Sequence, residues 1–218
     1  MKHFKLTNET KVEFGITFHR IEATKDLPYH GVKCGDKGGW VEKESNLSDN
    51  AWVYGDAQVY GNALVYDNAR VYGDAQVYGN ARVSGNARVS GNAWVYGNAW
   101  VYGDAWVYGD AQVYGDAWVY GDAWVYGNAQ VYGNAWVSGN AQVYGDAEVD
   151  SANAILWITV GAFHTATITK KLIFIGCQKF TREEIKSLTK KQAIEKGLPK
   201  EFANSYRKMI LAAMEIVK

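Results

Sequence analysis

Four histidines, His3, His19, His30 and His164, are the side chains of this sequence best suited to move a proton near neutral pH. None lies between residues 51 and 150. A general base must come within hydrogen-bond reach of the group it deprotonates, so that central stretch offers no histidine base. His164, in a turn beside a basic tail, is expected to be solvated. The thiols Cys34 and Cys177 flank a long repeat at its opposite ends and are expected to stay unpaired, which suits a reducing cytoplasm. Gly35-Asp36-Lys37-Gly38-Gly39 is rich in glycine. No Gly-Lys-Ser/Thr and no helical pattern follows it, so turn glycines are expected there rather than a phosphate cradle. The conspicuous chemistry is aromatic. Trp52, Trp94, Trp100, Trp106, Trp118, Trp124 and Trp136 all occupy one slot of a six-residue spacing.

That spacing organises the chain. From Ala51 to Val149 the phrase Ala-x-Val-Tyr-Gly-Asn/Asp repeats without a break, with 17 valines in register from Val53 to Val149. A fixed period fixes architecture before any local reading does. Side chains alternate along a strand, so Ala and Val share one face and the x residue and Tyr share the other. Gly-Asn and Gly-Asp tolerate positive φ and supply corners. Four residues of strand and two of corner describe a β-helix with short flat sides, Ala and Val inside and the aromatic slots outside.

The phrase resembles the hexapeptide-repeat family, with Val53, Gly55-Asp56 and Ala57 in matching slots and Tyr54 where a small or acidic residue is usual. The resemblance implies a left-handed parallel β-helix with three hexads, about 18 residues, per triangular coil. The general preference for right-handed crossovers points the other way, so the handedness rests on the resemblance. With 18 residues per coil, one side stacks Leu64, Arg82, Trp100, Trp118 and Trp136. A second stacks Trp52, Arg70, Arg88, Trp106, Trp124 and Gln142. The third stacks Gln58, Gln76, Trp94, Gln112 and Gln130, beside an unbroken column of Tyr60, Tyr78, Tyr96, Tyr114 and Tyr132. Serine interrupts the other tyrosine columns at Ser84, Ser90 and Ser138.

The expected fold is all-β: a small N-terminal β cap over residues 1–39, the β-helix over 40–155, and a C-terminal cap with strands and two helices over 156–218. In the first cap, Lys2 to Leu6, Lys11 to Phe14 and Ile16 to Ile21 read as short strands with turns at Asn8-Glu9 and Gly15. Val41 and Leu47 are in register with Val53, so the coil starts near Trp40. After Glu148 the phrase decays. Asp150 to Ala154 reads as a hexad with one residue inserted. Ile155 to Val160 and Thr165 to Ile175 read as strands, and Gly161 to His164 as the connection between them. Thr181 with Glu184 matches a capping box opening a helix to about Glu195. Pro199 opens a second, whose stripe of Phe202, Tyr206, Ile210, Ala213 and Val217 is expected to pack on the end of the rod.

Formal charge sums to zero but is uneven. Residues 51–150 carry ten acidic side chains against Arg70, Arg82 and Arg88, whereas residues 151–218 carry twelve basic and five acidic. Block asymmetry of this kind points to a partner only weakly, and an acidic rod this dilute is a poor imitation of nucleic acid. There is no run of 18 apolar residues and no apolar segment after the first charges, so neither membrane span nor signal peptide is expected.

The best-known hexapeptide-repeat proteins are acyltransferases, and the resemblance implies a histidine base on the shaft, an excursion loop and clefts between trimer subunits. The shaft here has neither histidine nor excursion, so a non-catalytic protein without cofactor is expected. Asp104 with Asp122, and Asp56 with Asp74, would stack and could hold a hard cation. Amid asparagines, a plain Asn/Asp corner ladder is the stronger reading, and no metal is expected. The outward aromatics carry the functional expectation, because contiguous aromatic surface marks contact sites. Trp100, Trp118, Trp136, Trp106, Trp124, Tyr78, Tyr96, Tyr114 and Tyr132 form the expected surface. Stacking between neighbouring rungs is the alternative use of these rings, compatible with the first. Self-association follows, and the resemblance implies a trimer. Aromatic platforms also bind sugars, so a carbohydrate ligand is the competing expectation. The lead-in from Gly35 to Glu42, then Asn46-Leu47-Ser48 and the Val-Tyr-Gly-Asn-Ala phrases, is similar to phage and prophage hexapeptide-repeat proteins. That resemblance implies a cytoplasmic accessory protein that binds, and can block, a host protein.

Overall fold

The computed structural model describes residues 2–151, 155–160, 164–175, 178–196, 198 and 206–217. After a β-hairpin of β1 (Phe4–Glu13) and β2 (Ile16–Ala23) comes β3 (Lys37–Val41). Seventeen two-residue strands follow, from β4 (Trp52–Val53) to β20 (Glu148–Val149), one per hexad. Each pairs in parallel with the strand 18 residues away, as Trp100 does with Trp118 and Val101 with Val119. The result is a three-faced parallel β-solenoid. Between coils the amide of each x residue from Trp52 to Gln130 donates to an alanine carbonyl, as Trp100 to Ala117 at 2.9 Å. The next two donors climb likewise, Tyr102 to Val119 at 3.0 Å and Asp104 to Gly121 at 2.9 Å.

Alternation does what the phrase demands. Every alanine from Ala51 to Ala147 and every valine from Val53 to Val149 has no exposed surface, and together they form one continuous core. The corner glycines hold positive φ, +67° at Gly85, and a β-carbon there would meet the Gly103 amide nitrogen at 2.9 Å. Corner amides form ladders: Asn62 donates to Asn80 (3.3 Å), Asn80 to Asn98 (3.1 Å) and Asn98 to Asp116 (2.9 Å). One corner departs from the phrase. Asp67 takes the glycine slot at φ 58°, and its carboxylate accepts from the Gly85 amide at 3.0 Å.

The N-terminal region is one hairpin rather than three short strands. Its turn is Phe14-Gly15, both at positive φ as a two-residue turn requires. Asn8-Glu9 is not a turn but lies where the β1–β2 register shifts, so the strand bulges and continues. Antiparallel pairing of β2 with β3, and parallel pairing of β3 with Gln58-Val59, joins the hairpin to one face of the rod. Leu47 bridges Val65, so the coil does start near Trp40. A segment around the single turn Pro28–His30 lies along a second face, where the Tyr29 hydroxyl reaches Asn86 at 3.2 Å.

The C-terminal region is richer than two strands and two helices. The stretch from 165 to 175 is not one strand but the hairpin β22 (His164–Thr169) and β23 (Leu172–Ile175). With β21 (Ile155–Val160) and β24 (Gln178–Thr181) it makes a four-stranded antiparallel sheet. His164 therefore begins a strand. The expected inserted hexad falls on 152–154 and the expected connection on 161–163, outside the described residues. Thr181 does cap a helix, with Glu184 completing the box, but α1 (Arg182–Ser187) stops early. Leu188 is extended, and Thr189 with Gln192 builds a second capping box for α2 (Lys190–Glu195). The final helix is α3 (Tyr206–Ile216); its expected start at Pro199 lies outside the described residues. Ile210, Ala213 and Val217 are buried, but against Ile168, Ile173, Ile175 and Phe180 of the sheet rather than against the rod. The sheet intervenes because β23 alternates: Phe174 joins the rod core, while Ile173 and Ile175 face the helices. Lys171 with Glu148 (2.6 Å) and Lys170 with Asp150 (3.0 Å) tie the basic tail to the acidic shaft.

Gly85→Ala should destabilise the protein by about 1–3 kcal/mol, because the residue is both strained and crowded by backbone. Asp67→Gly, in the same kind of slot with open precedent, should cost less. Urea unfolding of the two variants checks this; equal losses would show that the corner conformation does not limit stability.

Candidate interaction surface

The register sorts the outward slots into columns. On one face Trp100 and Trp118 stack with centroids 5.1 Å apart and planes 4° off parallel, and Trp136 follows at 5.8 Å. On a second, Trp106 and Trp124 stack at 5.3 Å. On the third, Tyr60, Tyr78, Tyr96 and Tyr114 stack at 4.9 Å per step, and Tyr132 follows at 5.2 Å. These separations match the roughly 4.8 Å between strands and suit offset stacking, which is worth about 0.5–1.5 kcal/mol per pair beyond burial. All nine expected surface residues are thus in ladders, and the stacking between neighbouring rungs is present.

Stacking also decides what each ring shows. Inside a ladder a ring's faces are covered by the rungs above and below, which leaves its edge or hydroxyl outward. Burial pushes the hydroxyls of Tyr60, Tyr78, Tyr96 and Tyr114 above the usual phenol range, keeping them neutral. Exposure is greatest at Trp136, 49%, and at Trp94, 40%, which has glutamines on both sides. Trp52 departs from the expectation: it is buried, with the His3 ring 6.3 Å away and itself meeting the Ala51 carbonyl at 2.8 Å. The caps close the tyrosine columns with aromatic rings of their own. Phe18 stands edge-on to Tyr60 at 5.4 Å, and Phe174 lies 4.2 Å from Tyr144 at the other end of its column.

The polar candidates separate. Asp104 accepts the Asn86 amide at 3.0 Å and Asp56 accepts the Trp40 indole at 3.3 Å, so both sit in the corner network. Cys34 is exposed; Cys177 is outside the described residues. His30 is buried between Tyr29 and Tyr54, and neither ring nitrogen makes a hydrogen bond. Burial, then the neighbouring Arg70 charge, lowers its pKa to about 4, the backbone at Asn50 opposing only in part.

The arginines matter more than their sequence positions suggested. Arg82 lies over Trp100 at 4.8 Å, Arg88 over Trp106 at 4.6 Å, and Arg70 over Tyr29 at 4.6 Å. Arg82 and Arg88 each extend a tryptophan column with a guanidinium, whereas Arg70 is met by a ring of the N-terminal segment, as cation–π geometry favours. A cleft of about 410 Å³ opens among Tyr54, Arg70, Tyr72 and Arg88. The signal was in the sequence: Arg-Val-Ser occurs twice, at 82–84 and 88–90, where most phrases carry tyrosine in the fourth slot.

The chain matches the model of the YdcK beta solenoid repeat at residues 57–73, 65–79, 75–91, 81–97, 93–109, 111–127 and 129–145. These segments all fall on the coils described above. No curated protein matches it. Among the described residues, no helix is long and apolar enough to cross a membrane.

The lowered His30 pKa sets a pH dependence. The unfolded histidine takes a proton near pH 6.5 and the folded one only near pH 4. Stability is therefore full above pH 6.5 and falls on acidification to pH 4, by at most roughly 1.4 kcal/mol per pH unit from this residue. His3, also lowered chiefly by burial, acts in the same direction. Urea midpoints between pH 7 and 4 should fall less steeply in His30→Phe than in the unmodified protein, and coincident slopes would refute the buried neutral ring.

Proposed function

We propose that this β-solenoid repeat protein is a non-catalytic binding rod whose copies associate through the face that stacks Trp100, Trp118 and Trp136. The observation that carries the reading is that ladder itself: large rings, in register, already held parallel to one another and partly exposed. A ring fixed by its neighbours loses little freedom on binding, and tryptophan is among the residues that anchor interfaces. Leu64, 38% exposed on the same face, adds apolar surface. Three copies per assembly is the stoichiometry implied by the hexapeptide resemblance, and a left-handed sense of the coil belongs to the same inference. The ladders on the other faces, Trp106 with Trp124 and Tyr78 to Tyr132, are then open to a second partner. The phage-type lead-in favours a host protein in the cytoplasm, where the exposed Cys34 thiol stays reduced.

Sugar platforms use exposed ring faces, whereas these ladders present edges, so self-association is the better-supported reading. An acyltransferase relative that has lost its base is weaker still, since no histidine lies on the shaft. Light scattering should give a single trimeric mass for the purified protein. Replacing Trp100, Trp118 and Trp136 together by Gln should lower that mass with the far-ultraviolet circular dichroism retained. An unchanged mass would remove this face as the contact. Tryptophan fluorescence that responds to a saccharide would favour the carbohydrate reading instead, and calorimetric binding of coenzyme A would favour the acyltransferase one.

A further inference from the structure

We infer that the cleft between Arg70 and Arg88 is a binding site for a small phosphate ester carried on a planar ring, a nucleotide being the form tested first. Arg70 and Arg88 are directly paired in adjacent coils. Like charges placed opposite each other in a sheet destabilise it, and among the described residues no carboxylate lies within ion-pair distance of either. A shaft with ten acidic side chains has put two of its three bases together and left them unneutralised. A bound anion shared by both guanidiniums relieves that repulsion.

The donors are shaped for it. Arg88 is held by the Trp106 ring and Arg70 by the Tyr29 ring, at 4.6 Å in each case. Stacking occupies the faces of a guanidinium and leaves its in-plane N–H edge for an acceptor. Arg70 spends part of that edge on the Tyr29 carbonyl. Its Nε is buried without an acceptor, so it is covered from the cleft and the terminal nitrogens are left to meet a ligand. A phosphate, with several acceptor oxygens and a fork-matching geometry, answers both guanidiniums.

The rest of the cleft selects a ring. Where the phrase calls for tyrosine, Ser90 leaves the column between Tyr72 and Tyr108 without an aromatic rung. Tyr54 and Tyr72 meet edge to face, at 84° and 6.4 Å, rather than in the parallel stack of the other tyrosine pairs. An aromatic ring surface thus borders the two charges. The volume of about 410 Å³ lies within the range of small-molecule sites, roughly 300–1,000 Å³. Arg82 supplies the contrast: it is stacked too, but its neighbour across the ladder is Leu64, so it has no second guanidinium to share a ligand.

Calorimetry on the full chain with AMP, GMP, phosphotyrosine and inorganic phosphate tests the site. One equivalent of a ring-bearing phosphate should bind more tightly than inorganic phosphate, and a preference between the purine and the phenyl probes identifies the ring. Arg88→Gln should weaken binding about tenfold or more, a loss of about 1.4 kcal/mol, while Arg82→Gln leaves it unchanged. Ser90→Tyr restores the consensus rung and fills the gap with both charges intact, so it should abolish binding without lowering the melting temperature. The inference is overturned if no ring-bearing probe binds at about 1 mM. It is equally overturned if inorganic phosphate binds as tightly as the esters, or if binding survives both Arg88→Gln and Ser90→Tyr.

Discussion

Everything in this protein depends on one constraint: each coil must hydrogen-bond to the next in an unbroken 18-residue register. Trp100 to Ala117, Tyr102 to Val119 and Asp104 to Gly121 are three consecutive instances, and a slip of one residue would turn the Ala-Val face outward. The identical inward pair keeps the register cheap to hold, because any coil fits against any other. The same fact makes the outside consequential. Side chains that share a slot are forced into columns at strand spacing, where tryptophan stacks on tryptophan, asparagine donates to asparagine or aspartate, and arginine faces arginine.

A column must end somewhere, and the caps are built around those ends. An open final coil would expose both core and strand edges. The N-terminal hairpin extends one face by antiparallel pairing and sets Phe18 against the first tyrosine of its ladder. At the other end, β23 turns Phe174 toward Tyr144 and the rod core while Ile173 and Ile175 serve the helices. Two lysines of that sheet meet acids of the last coil. The uneven distribution of charge along the chain is in part this docking.

The caps were also where reading from the sequence was least complete. Asn8-Glu9 has turn chemistry, yet tertiary pairing of β1 with β2 carries the strand through it as a bulge. The hairpin of β22 and β23 was hidden because Thr165 to Ile175 is rich in β-branched residues on both sides of Lys170-Lys171, with no glycine to mark the turn. The break between α1 and α2 was legible in Thr189 and Gln192, a second capping box that a single long periodic stripe overshadows. Among the surface residues, the three ladders follow directly from counting in eighteens. The cleft does not: Arg70, Arg88 and Ser90 are each visible, but their meaning arises only when two coils are superposed.

By itself the sequence determined the solenoid, its inward and outward faces and the membership of every column, because a six-residue phrase whose Ala and Val never vary leaves one consistent way to bury them. Only the tertiary structure decided which outward residues remain outside and which become neighbours. Trp52 is buried because the N-terminal segment, far from it in the chain, brings the His3 ring against it. Ring faces are hidden because strand spacing is close to stacking distance. Arg70 and Arg88 confront each other because the coil returns after three sides. Periodicity specifies a surface that repeats; contacts between coils and caps decide where along it something can bind.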